Sequence, residues 1–138
     1  MKLELHATPE EVMRGVEALR EFARAQCLPE KTVFELSLAL EECGSNIVNH
    51  AYKRDASQKL TVTVECNGAD ISVELRDSGP QFDPTKTPSK PAATEDAPPG
   101  GWGIQLVHYY MDELQYKRQG NENVLRLTKR LTPKQDAS

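Results

Sequence analysis

A chain of 138 residues, 38% apolar and with a mean hydropathy of −0.61, has the size of one compact domain that buries a core without disulfides or metal staples. Its 17 basic and 21 acidic residues are mixed along the sequence to a net charge of −4, which argues against a surface built to track a phosphate backbone, and so against direct nucleic-acid binding. No run reaches membrane-spanning length and "MKLELHATPEEV" lacks an apolar leader segment, so a cytoplasmic location without membrane contact is expected.

"KLELHA" alternates as a short first strand does. Thr8-Pro9-Glu10-Glu11 then forms a helix start, with a capping hydroxyl, proline at the first helical position and a glutamate three residues on. Val12, Val16, Leu19 and Ala23 carry that helix to about residue 25. Pro29 and Thr32 open a second helix, predicted to run to about Tyr52.

After the polar loop "KRDASQ", Leu60, Val62, Val64 and Cys66 alternate with polar residues as in a half-buried strand. Asn67-Gly68 is a hairpin turn signal, and the return strand points Ile71, Val73 and Leu75 inward. From Ser78 to Gly101 periodicity stops, and Pro84, Pro88, Pro91, Pro98 and Pro99 make this a long irregular segment of the kind that usually carries function. A helix from Gly103 to about Met111 comes next, then strands "ELQYKR" and "NVLRLTKRL" around the turn "QGNE".

Hairpins dominate this order. The predicted fold is α+β, a two-layer sandwich whose mixed, mostly antiparallel sheet is covered on one face by helices. Residues 1–131 form the predicted domain, with a lid at about 80–101 and a frayed tail at 132–138. Cys27, Cys43 and Cys66 are widely spaced and include no CxxC pair, so reduced and mostly buried thiols are expected.

Three stations suggest chemistry. In "LALEECGSNIVNHAY", Leu36, Leu40, Cys43 and Ile47 make a core stripe, while Glu42, Asn46 and Asn49 occupy the stripe beside it. A solvated polar face explains those three residues, and so does a site in which an amide oxygen holds Mg²⁺ and a carboxylate takes a proton. In "RDSGPQFDP", Asp77 continues the inward register of Ile71, Val73 and Leu75. Its carboxylate either closes an Asx-turn on its own backbone or receives a ligand donor such as the amino group of adenine. "GGWGI", before a helix, is either a loop end or a backbone cradle for an anion.

Taken together and in this order, the three stations resemble the GHKL superfamily of ATP-binding domains, the Bergerat-type fold, and within it the anti-sigma-factor serine/threonine kinases. "EECGSNIVNHAY" resembles the N box, "DSGPQFDP" the G1 box and "GGWGI" the G2 box, and "LVHYYMDELQY" resembles the segment after the G2 box in that subgroup. The resemblance implies that Glu42 is the general base and Asn46 the Mg²⁺ ligand. It implies that Asp77 binds the adenine amino group, with Gly79 beside it to admit the ring, and that Gly101 and Gly103 contact phosphate. Asn49 and His50 fall at the phosphate end of the N box, and Phe82, Trp102 and Ile104 belong to the nucleotide-contacting boxes.

The activity implied by this resemblance is that of an ATP/ADP- and Mg²⁺-dependent protein kinase acting on a small STAS-type anti-sigma antagonist, sequestering a sigma factor, and forming a homodimer. The alternative is a nucleotide-loaded switch that sequesters a partner with little phosphotransfer. Two departures bear on that choice. Gln81 stands where the wider superfamily has a second G1 glycine, and Pro99 stands where several kinase members carry an arginine. Lys86 and Lys90 are the nearby cations.

Overall fold

The computed structural model describes residues 1–86 and 100–131, with side chains given up to 85 and from 104. The expected lid lies largely outside the described residues, as do Lys90, Pro99 and the tail from 132. The elements run in the order β1 (Lys2–His6), α1 (Pro9–Ala25), α2 (Glu30–Asn46), β2 (Lys59–Cys66), β3 (Asp70–Asp77), α3 (Gly100–Tyr110), β4 (Glu113–Gln119) and β5 (Glu122–Arg130). Five strands form one sheet in the order β1-β2-β3-β5-β4, and every pairing is antiparallel. The predicted α+β layout holds, and among the described residues no strand pair is parallel.

The start of α1 obeys its sequence signal. Thr8 Oγ1 accepts the Glu11 amide at 3.1 Å, and the Glu11 carboxylate reaches back to the His6 amide at 3.1 Å, so two otherwise orphaned donors are satisfied. Val12, Val16, Leu19 and Ala23 of α1 and Val33, Leu36, Leu40 and Cys43 of α2 are buried in one core. The inner face of the sheet closes it through Val62, Val64, Val73, Leu75 and Leu127. Of the three cysteines only Cys43 is buried, where loss of solvation pushes its thiol pKa up to about 12; Cys27 is exposed at the turn after α1.

The second helix departs from expectation. Regular α geometry stops at Asn46, and residues Ile47–Ala51 form a π-helical turn closed by the Tyr52 amide on the Ile47 carbonyl at 2.9 Å. Lys53 and Arg54 then take φ values of +48° and +66°, an uncommon conformation for non-glycine residues that turns the chain sharply away. The third helix starts at Gly100 rather than Gly103, so the G2 glycines lie within its first turn.

At the far end of the sheet Lys129 points into the helix layer. Its Nζ sits 2.8 Å from Glu35 Oε1 and donates to the Tyr110 carbonyl at 2.7 Å, joining β5, α2 and the C-terminus of α3. Lys129→Ala is expected to cost about 3 kcal/mol or more, because it strands a buried carboxylate. The double variant Glu35→Leu with Lys129→Met should recover most of that loss in urea denaturation, since removing both charges leaves none unpaired.

Candidate functional site

The site lies at the end of the sheet opposite Lys129. There the strand register lines up Leu60, Asp77, Asn123 and Arg118 across β2, β3, β5 and β4. An open cleft is bounded on the helix side by Cys43, Asn46, Ile47 and Ala51, and on the sheet side by Asp77, Asn123, Leu125 and Tyr116. Phe82 and Pro84 close its rim, and the Phe82 side chain is 49% exposed. Largely apolar walls with a few fixed polar groups suit a flat heteroaromatic ligand.

Asp77 is a buried carboxylate, 6% exposed. Its Oδ1 accepts the Gly79 amide at 2.9 Å and the Asn123 side-chain amide at 3.0 Å. The local Asx-turn therefore forms, but it occupies one oxygen. Among the described residues nothing donates to Oδ2, although buried carboxylate oxygens are normally satisfied. The Asx-turn account of "DSG" thus holds, and it engages one of the two carboxylate oxygens.

The turn after Asp77 is gripped from both sides. Tyr52 is buried and donates to the Lys59 carbonyl at 2.8 Å while accepting the Ser78 amide at 2.7 Å; burial, the largest cause, raises the phenol's pKa and keeps it a donor. From the other side Asn123 and Arg118 donate to the Pro80 and Gly79 carbonyls at 2.9 and 2.8 Å. Gly79 serves this packing directly. A Cβ there would stand 2.9 Å from the Ala51 Cβ and 3.3 Å from the Ala51 carbonyl oxygen, so the glycine lets the turn seat on the π-helical segment.

Asn46 lines the cleft, and among the described residues its amide makes no hydrogen bond. Glu42 lies one turn earlier on α2, half-buried and just outside the cleft lining. Its carboxyl is held above the ordinary glutamate range, first by loss of solvation and second by the neighbouring charge of Glu41. Asn46 is a single neutral oxygen donor, and no group of three His, Cys, Asp or Glu side chains among the described residues makes a metal cage. That donor set fits Mg²⁺, which takes few protein ligands and keeps water and phosphate oxygens for the rest.

The structure thus gathers Asn46, Asp77 and Phe82 into one cleft, with Gly79 at its edge and Glu42 one turn away. It does not gather all the expected residues. Asn49 is exposed and accepts from Arg54 Nε at 3.0 Å, because the π-helical turn rotates it off the Asn46 stripe. His50 is exposed on the same turn. Ile104 is 3% exposed in the hydrophobic core, where it anchors α3 rather than lining the cleft. Gly101, Trp102 and Gly103 have helical backbone in α3, and their side-chain surroundings lie outside the described residues. Asn123 and Arg118, which hold the turn after Asp77, fall in none of the resembling stretches, while Tyr52 and Tyr116 each end one of them without having been singled out. A signal for Asn123 was available, since it shares the inward register of Leu125 and Leu127 as Asp77 shares that of Leu75.

Comparison with known proteins bears on the family and the fold. Residues 5–129 match the family described as the histidine kinase-like ATPase domain. The serine/threonine-protein kinase BtrW of Bordetella bronchiseptica is 34% identical over 102 residues, covering 72% of each chain. The serine-protein kinase RsbW of Listeria innocua is 29% identical over 139 residues, covering 96% of this chain and 88% of that one. RsbW of Bacillus cereus is 28% identical over 97 residues, and there the match spans 60% of the relative's length. Among solved structures, the RsbU and RsbW domains of a Mycobacterium tuberculosis protein superpose with a TM-score of 0.70 at 18% identity, over 95% of this chain and 31% of that one. The SiaB–SiaC complex of Pseudomonas aeruginosa gives a TM-score of 0.65 at 14% identity, over 93% and 88%. At those identities the structural likeness speaks to the fold. Among the described residues no helix is long and apolar enough to cross a membrane.

Proposed function

The chain belongs to the histidine kinase-like ATPase family, as a serine/threonine kinase, and from that premise we propose that it phosphorylates a hydroxyl of a small STAS-type antagonist protein and also sequesters a sigma factor. The observation that carries this reading is Oδ2 of buried Asp77, which has no donor among the described residues, in the same cleft as the Asn46 amide, which likewise makes no hydrogen bond among them. Asp77 takes the exocyclic amino group of adenine, and Phe82 covers the base. Asn46 would hold Mg²⁺, which when bound supplies neutralising charge for the phosphates. Glu42, on the same helix and one turn nearer its start, accepts the proton of the acceptor hydroxyl. Phosphoryl transfer asks a protein chiefly for position and charge, so this small set suffices. A homodimer belongs to the same reading.

The test is transfer of labelled γ-phosphate from ATP to a purified STAS-type protein, with Glu42→Ala as the control. Label in the acceptor that vanishes with the variant supports the kinase and its substrate class. If wild-type protein binds ATP yet leaves every such acceptor unlabelled, it is instead a nucleotide-loaded switch, with Pro99 in the place of an arginine as the reason.

A further inference from the structure

The β4–β5 hairpin ties a buried amide to Asp77 and to the turn that follows it. Asn123 is 5% exposed and fully engaged. Its Oδ1 accepts from the Tyr116 hydroxyl at 2.5 Å, from Arg118 Nη1 at 3.1 Å and from the Phe82 amide at 3.4 Å. Its Nδ2 donates to Asp77 Oδ1 at 3.0 Å and to the Pro80 carbonyl at 2.9 Å. A flipped amide would set N–H groups against a guanidinium and oxygen against a carboxylate, so the donors around it permit one orientation.

Arg118 is the unusual member. Among the described residues it makes no ion pair, a state it shares with exposed Arg54 but not with Arg14, Arg20, Arg24, Arg76, Arg126 and Arg130. Its Nη1 instead serves two uncharged oxygens, the Asn123 Oδ1 and the Gly79 carbonyl. A guanidinium committed to neutral acceptors adds little to stability through charge pairing. It does hold an amide and a turn in register with Asp77.

We infer that this hairpin clasp sets the base preference of the cleft: Arg118 and Tyr116 fix the Asn123 amide, which saturates Asp77 Oδ1 and leaves Oδ2 as a pure acceptor for a 6-aminopurine. The inference rests on the nucleotide reading of the site and assigns its discrimination to positioning residues on β4 and β5. A 6-oxopurine presents an oxygen where Oδ2 needs a donor, and the clasp blocks the amide flip and turn shift that would accommodate it. Asn123 and Arg118 act through Asp77 and need no contact with the base.

The experiment compares dissociation constants for ATP and ITP, which differ in the 6-substituent and in the proton that N1 carries with it, by calorimetry on wild-type, Arg118→Ala, Tyr116→Phe, Asn123→Ala and Asn46→Ala proteins. Wild type is expected to prefer ATP by about tenfold or more, the range a buried hydrogen-bonding group imposes on a mismatched ligand. Asn123→Ala and Arg118→Ala should each shrink the ATP:ITP ratio at least about threefold, with Tyr116→Phe between them and wild type. Asn46→Ala should weaken both nucleotides alike and keep the ratio. An unchanged ratio in Arg118→Ala and Tyr116→Phe proteins that melt like wild type would overturn the inference even if Asn123→Ala fails to fold. So would an equal ratio shift in Asn46→Ala, which would mark general damage. Wild type that binds neither nucleotide would instead defeat the nucleotide reading on which the inference stands.

Discussion

Asp77→Asn is expected to weaken ATP binding about a hundredfold, close to 2.7 kcal/mol, while leaving the melting temperature nearly unchanged. The size reflects which oxygen is free. Oδ1 already accepts from the Gly79 amide and from Asn123 Nδ2, so an amide introduced at this position keeps its oxygen there. Its NH₂ must then occupy the place of Oδ2 and face the ligand, where a donor meets the donor of the 6-amino group. One hydrogen bond to a charged acceptor is lost and a repulsive contact replaces it. Calorimetric titration with ATP checks the loss. A variant that binds within about threefold of wild type would show that Oδ2 does not receive the base, whatever else the cleft holds.

Glu42→Gln is the second large effect, and it should separate binding from chemistry. The substitution keeps shape and removes the proton acceptor, so transfer to the acceptor protein should fall about 10²–10⁴-fold while ATP binding changes little. The pH profile gives an independent check. Because burial and then Glu41 raise the Glu42 carboxyl, the base becomes protonated at a higher pH than an exposed glutamate would. Activity should therefore fall on the acid side above the ordinary glutamate range, and Glu41→Gln should move that limb downward part of the way, since the desolvation cause remains.

The same shift has a stability consequence of opposite sense to a salt-bridged carboxylate. For an acid whose folded pKa lies above its unfolded value, the folded state binds more protons between the two. Wild-type stability thus declines as pH rises through that window, and the cost persists at higher pH. Glu42→Gln should melt higher than wild type at pH 8, with the gap closing below the unfolded glutamate value. A gain in stability beside a loss of transfer would mark Glu42 as a residue kept for function against the interest of the fold.

Much of this protein was determined by its sequence alone. Helices and strands were legible where burial imposes a period, as in Val12, Val16, Leu19 and Ala23 or Leu60, Val62 and Val64, because a one-residue slip would expose the whole face. Asp77 was legible as a candidate for the same reason, being a carboxylate in the register of buried aliphatics, and it lines the cleft. Tertiary structure decided the rest. That β5 and not β4 pairs with β3 is a matter of which strand best buries its inner face between neighbours, and both strands alternate. The π-helical turn that takes Asn49 off the Asn46 stripe depends on how Tyr52 meets Lys59 and Ser78, residues brought together only by folding. The clasp on Asp77 joins side chains 46 positions apart, and a hydrogen bond across two strands leaves no periodic trace in either. Local period records what a residue must avoid, which is water or the core; only the folded sheet decides which polar atom it meets.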